Sequence, residues 1–139
     1  SLGPELLAAH GAPHDEDAYL LQERDAAWAF TRFQERLCFF GHTHHAGGWE
    51  WEPATGRVQG LQVEPGRWVD LDPNRRYLIN PGSVGQPRDR DPRASFLTYD
   101  PDRHRVKWHR MDYDIEAAAR AILDADLHVS LAERLYLGT

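Results

Sequence analysis

The chain has 139 residues, 41% of them hydrophobic, and a formal net charge of -6. That length fits one domain or a piece of one with a sizeable core, and the acidic balance argues against a nucleic-acid-binding surface. No stretch is apolar for long enough to span a membrane and no signal-peptide pattern is present, so a cytoplasmic protein with no membrane partner is the expectation.

Residues 5–9 read as a short strand closing on the loop His10-Gly11-Ala12-Pro13, where Gly and Pro break regular structure. This strand follows almost at once on Ser1, which is not an initiator methionine, and a natural domain is not expected to open so close to its first core strand. Residues 15–21 read as a short connector or helical turn. Residues 22–36 read as one helix, its buried face carrying Ala26, Ala29, Phe30 and Phe33 at three- and four-residue spacing. Residues 37–40, Leu-Cys-Phe-Phe, are a short buried strand, and Cys38, the sole cysteine, reads there as an inert thiol that excludes an intrachain disulfide.

Beyond residue 45 the pattern turns to β. Trp49 and Trp51 alternate with Glu50 and Glu52, the turn Pro53-Ala54-Thr55-Gly56 follows, and Val58, Leu61 and Val63 mark a return strand. Residues 68–71 and 77–79 are further short strands, the second ending at Asn80-Pro81-Gly82-Ser83. Residues 96–99 and 106–108 form a hairpin about Asp100-Pro101-Asp102-Arg103. A helix spans 115–125 with Asp114 as its N-cap, and a second spans 130–137. Most of the five tryptophans fall on alternating strand positions and read as sheet-face packing.

Three strand-to-loop junctions carry chemistry: His10-Gly11-Ala12-Pro13, Gly41-His42-Thr43-His44, and Asn80-Pro81-Gly82-Ser83-Val84-Gly85. Loops at the same ends of neighbouring strands converge, and the carboxyl ends of strands are where layered α/β folds collect ligand groups. Two histidines one residue apart on a loop can face two neighbouring ions, which points to phosphoester hydrolysis at a metal pair about 3.5–4 Å apart. Neutral imidazole suits Mn, Fe, Zn or Ni rather than Ca.

With these motifs in order, and Gln86-Pro87-Arg88 completing the third, the chain resembles the calcineurin-like metallophosphoesterase superfamily. It is most similar to the small bacterial phosphodiesterase and diadenosine-tetraphosphatase-like branch. Ala12 stands where that branch carries a serine in a His-Gly-Ser-Pro-like loop. The resemblance implies an α/β (α+β) fold, part of a four-layer αββα sandwich of mainly mixed and antiparallel sheet with flanking helices. It implies hydrolysis of phosphoester bonds by a hydroxide activated by two divalent transition metal ions. It also implies that His10 and His42 are ligands of one ion and His44 of the other. A phosphomonoester, a cyclic nucleotide or a dinucleoside polyphosphate is the substrate class it implies.

The family's amino-terminal half supplies an Asp-x-His, a bridging Gly-Asp-x-x-Asp and a Gly-Asn-His-Asp/Glu, and the expectation is that none of these occurs in residues 1–139. The chain therefore resembles the carboxyl-terminal part of one metallophosphoesterase domain, whose missing amino-terminal half is its implied partner. Alone it is expected to be inactive, because two cations lacking a bridging carboxylate repel. A non-catalytic truncated product acting as a binding or scaffold protein is the alternative. A single ion held by His10, His42 and His44 is a third reading.

Weaker candidates surround these three. Asn80 reads chiefly as a turn residue buttressing the metal loops. Arg88 can meet a substrate phosphate bidentately or belong to a solvated, self-paired run Arg88-Asp89-Arg90-Asp91. His45 adjoins the motif, His14 is a rim candidate, and His104, His109 and His128 read as structural.

Overall fold

The structure is a computed structural model and describes residues 5–139; Ser1 lies outside the described residues. Strands β1 (Leu6–Ala8), β2 (Leu37–Phe39), β3 (Ala46–Glu52), β4 (Arg57–Gly60) and β6 (Arg76–Pro81) form one sheet in the order β1-β2-β6-β3-β4. Strand β5 (Trp68–Asp70) joins the hairpin of β7 (Ala94–Asp100) and β8 (Arg105–Met111) in a second sheet, ordered β5-β8-β7. Three helices complete the fold: α1 (Glu23–Phe30), α2 (Ile115–Asp124) and α3 (Val129–Leu137). This is the mixed α/β class expected, with two sheets.

Period-two alternation sorts the first sheet's side chains. Cys38 and Leu78 face α1, packing with Ala26, Ala29, Phe30, Phe33 and Phe40. Leu37, Tyr77 and Ile79 face the second sheet, where they meet Val106, Trp108 and Leu71. Trp108 is wholly buried, and its indole N–H donates to the Asn80 carbonyl at 2.9 Å, so burial leaves no polar atom unpaired. Trp49 and Trp51 pack on the α1 side as expected, whereas Trp28 stands exposed on α1. The α2–α3 hairpin has its own small apolar cluster. Asp114 caps α2, accepting from the Ala117 N–H at 2.8 Å. His128 is not idle: its ring accepts from the Ser130 N–H and caps α3.

The helix expected over residues 22–36 ends at Phe30. The Thr31 hydroxyl donates back to the Trp28 carbonyl at 2.7 Å. The Arg76 guanidinium reaches from β6 to the carbonyls of Phe30, Phe33 and Glu35, giving these groups a partner outside a helix. Phe33 is buried all the same, beneath that guanidinium, whose centre lies 4.4 Å from the ring centroid. The return strand is also shorter than its apolar pattern; Leu61, whose N–H still donates to the Gly48 carbonyl of β3, and Val63 lie beyond its end and pack in the inter-sheet core.

The topology positions the site. β1 pairs β2 in parallel, and β2 pairs β6 in parallel. The loops after Ala8, Phe39 and Pro81 therefore leave the sheet at one edge, side by side.

Candidate metal centre at the carboxyl ends of three parallel strands

His10, two residues after β1, and His42, three after β2, meet directly: His10 Nε2 and His42 Nδ1 are 3.0 Å apart, with ring centroids 4.8 Å apart. The backbone ties the same loops together, the Gly41 N–H donating to the His10 carbonyl at 2.8 Å. Gly11 is required by close approach, since a Cβ there would collide with the Glu16 carbonyl as residues 11–18 fold back on themselves. His42 and His44 both adopt left-handed backbone, with φ of 63° and 60°. For a residue with a Cβ this costs roughly 1–2 kcal/mol, a strain that persists where surrounding contacts over-determine it.

Those contacts are visible. Asn80, 1% exposed at the end of β6, donates from its amide to the Gly41 carbonyl at 3.0 Å and the Thr43 hydroxyl at 2.8 Å. Its Oδ1 accepts from the Gly82 N–H at 2.9 Å. One side chain thus holds the histidine loop and the turn after β6 at once, and its burial makes it a support of the loop. Gly82 has φ 85° and no room for a Cβ beside Ser95, so this turn accepts only glycine.

His44 Nδ1 is 2.8 Å from the Gln86 carbonyl. A carbonyl only accepts, so Nδ1 carries the proton and Nε2 presents its lone pair. That is the second-partner pattern of a metal-binding imidazole. Partial burial pulls the His44 pKa below its ordinary value; the Gln86 bond opposes this, and the positive Arg88 nearby adds to the lowering. Neutral His44 is thereby favoured. Arg88 extends to the Gln86 side chain at 2.7 Å, and its Nε is buried without a partner. His45 lines a cavity of about 160 Å³ with Phe40, Thr43, Trp49 and Asn80.

The donor set fits cations in part. Two nitrogens each about 2.1 Å from one tetrahedral ion stand about 3.4 Å apart; His10 and His42 sit closer, at the 3.0 Å of a direct hydrogen bond, so sharing an ion requires that bond to open slightly. Among the described residues no three His, Cys, Asp or Glu side chains converge on one point. The three histidines do not form the single-ion site of the third reading, and neither the pair nor His44 completes a coordination shell.

Several features escaped the sequence pattern. Tyr19, in the segment read as a connector, packs against His42 with centroids 4.2 Å apart and the rings inclined at 49° while remaining 50% exposed; nothing in its local pattern signals this. Asp89 pairs with Arg110 of β8, and Asp91 with Arg93 and Arg110, so the run 88–91 is not self-paired in solvent. The chain also contains two Asp-x-His strings, Asp102-Arg103-His104 and Asp126-Leu127-His128. Neither supplies the missing motif: His104 bonds Arg36, at the opposite end of β2 from the site, and His128 caps α3.

No family model matches the chain. Over 103 residues, 73% of its length, it is 39% identical to an uncharacterized protein of Methanocaldococcus jannaschii, covering 39% of that protein. A crystal structure of a metallophosphoesterase from Sphaerobacter thermophilus superposes with a TM-score of 0.83 at 38% identity, over 95% of this chain and 54% of that one. A hypothetical protein from Pyrococcus horikoshii shares the fold, with a TM-score of 0.63 at 15% identity over 95% of this chain and 46% of that one. The chain thus spans about half the length of the two similar structures and less of the curated relative. Among the described residues no helix is long and apolar enough to cross a membrane. The likeness in sequence and structure to the Sphaerobacter protein supports the metallophosphoesterase superfamily for this chain.

Proposed function

We propose that this chain is the carboxyl-terminal part of a phosphoesterase domain and carries the histidine side of a two-cation site. His10 and His42 would hold one divalent transition ion and His44 a second, with the remaining carboxylate donors coming from residues outside the chain. The observation that carries the reading is the meeting of His10 and His42 at 3.0 Å across two parallel-strand junctions; the His44 Nδ1–H bond to the Gln86 carbonyl, which leaves Nε2 as an acceptor, supports it. The similarity to a metallophosphoesterase over half of its length points the same way.

Divalent ions bound there supply Lewis acidity toward a phosphate oxygen and a water molecule. The chain's own residues do the rest of the work available to it. His44 is kept neutral by desolvation, His42 is wedged between His10 and Tyr19, and Asn80 locks the strained loop. Arg88 offers a cationic donor at the edge of the site toward an anionic ester. The test is hydrolysis of bis-p-nitrophenyl phosphate with Mn²⁺, by the chain alone and joined to its upstream coding sequence. Activity that needs the upstream part and is lost in His44→Ala supports the reading. Robust turnover by the 139 residues alone would refute the split of the site, and inactivity of both would refute the activity itself.

A further inference from the structure

The segment 86–89 lies along the His44 loop and touches it three times in succession. The Gln86 carbonyl accepts from His44 Nδ1 at 2.8 Å, the Arg88 N–H donates to the His44 carbonyl at 3.1 Å, and Asp89 Oδ2 accepts from the Ala46 N–H at 2.9 Å. The first contact sets the ring, the second the peptide after it, and the third the next peptide. All three fall on His44 or just after it, the residue whose left-handed backbone needs support. Pro87 is fully buried within the segment.

What holds the segment is an ion pair. Asp89 Oδ2 also accepts from Arg110 of β8, and the two side chains are 14% and 7% exposed. Arg110 in turn donates to the carbonyls of Arg93 and Asp91 and faces the Asp91 carboxylate at 3.6 Å. A buried ion pair adds little net stability compared with apolar packing, although removing one partner alone is costly. Here it ties the histidine loop, which hangs from the first sheet, to a strand of the second. The site is thereby referenced to both sheets.

We infer that Asp89, anchored by Arg110, is a positioning residue for His44: it fixes the loop so that Nδ1–H stays on the Gln86 carbonyl and Nε2 is offered to a cation. The inference rests on the reading of His44 as a metal ligand. Asp91 is the natural control, because it shares the Arg110 guanidinium yet makes no contact with residues 42–46 in the bonds described.

The test combines calorimetric titration with Zn²⁺ and long-range ¹H–¹⁵N spectra of the histidine rings, on the wild-type chain and on Asp89→Ala, Asp89→Asn, Asp91→Asn and His44→Ala. The metal-free wild type should show His44 as a single Nδ1–H tautomer. Loss of a partner that orients a metal ligand weakens binding about 10- to 100-fold. Asp89→Ala should fall in that range with a mixed His44 tautomer, Asp89→Asn by less, and Asp91→Asn within about twofold of wild type, all on the same scale. If Asp89→Ala does not fold, Asp89→Asn against Asp91→Asn carries the comparison. Wild-type affinity and an unchanged His44 tautomer in both Asp89 variants would overturn the inference while leaving the metal site intact. Equal weakening by Asp89→Asn and Asp91→Asn would overturn it in favour of general destabilisation. Undiminished Zn²⁺ binding by His44→Ala would remove the ligand reading and the inference together.

Discussion

His10 Nε2 and His42 Nδ1 face each other at 3.0 Å across the junctions that follow two adjacent parallel strands. In the metal-free protein one nitrogen donates to the other, so a shared cation must displace that hydrogen bond and claim both lone pairs. Groups that act as a unit are non-additive on mutation. His10→Ala and His42→Ala should each weaken binding of the first ion, and the double variant should be little worse than either. Adding His44→Ala should remove a further, independent increment. Cation titration of the set checks this; full additivity of His10 and His42 would separate them onto different sites.

The lowered pKa of His44 has a stability consequence. At a pH above the ordinary histidine value both folded and unfolded forms are neutral and the residue contributes nothing through protonation. As pH falls below about 6.5 the unfolded chain takes up a proton first, and folding is penalised increasingly until the folded ring also protonates. Thermal melts of metal-free protein from pH 7.5 to 5.5 should therefore lose less stability in His44→Ala than in wild type. An equal or steeper loss in the variant would contradict the desolvated, neutral ring.

Cys38 sits in β2 between Leu7 and Leu78 in register, and burial pushes its thiol up to about 12. It should resist a disulfide reagent at pH 8 in the native protein and react fully once unfolded, since the thiolate is the reactive form. Rapid stoichiometric labelling of the folded chain would place it elsewhere.

Arg76 closes the short helix by serving three carbonyls at once. Removing it strands acceptors worth about 1–3 kcal/mol each when buried and unpaired. Arg76→Ala should lower stability by about 3 kcal/mol, read from urea midpoints, and Arg76→Lys should recover only part, because one ammonium cannot reproduce the guanidinium fork. A neutral effect would mean that solvent serves these carbonyls equally well.

Much of this arrangement was legible in the sequence because it rests on local rules. The runs at 37–40 and 77–79 announce buried strands, Asp114 announces a helix start, and the spacing of His42 and His44 announces a loop after a strand. The parallel pairing that brings His10 to His42 was anticipated only through convergence of loops at like strand ends. What stayed hidden depends on distant partners. The early end of α1 comes from Arg76, more than forty residues on. The sharing of Asp89 between Ala46 and Arg110 joins segments with no common periodicity. Tyr19 reaches His42 through a connector whose path no pattern specifies.

The central question is whether the three loop histidines hold cations. Titration of the purified chain with Mn²⁺ and Zn²⁺, beside the His10→Ala/His42→Ala/His44→Ala variant, asks this directly. The wild type should bind weakly but saturably, and the binding should disappear in the variant. Equal binding by both proteins would contradict this.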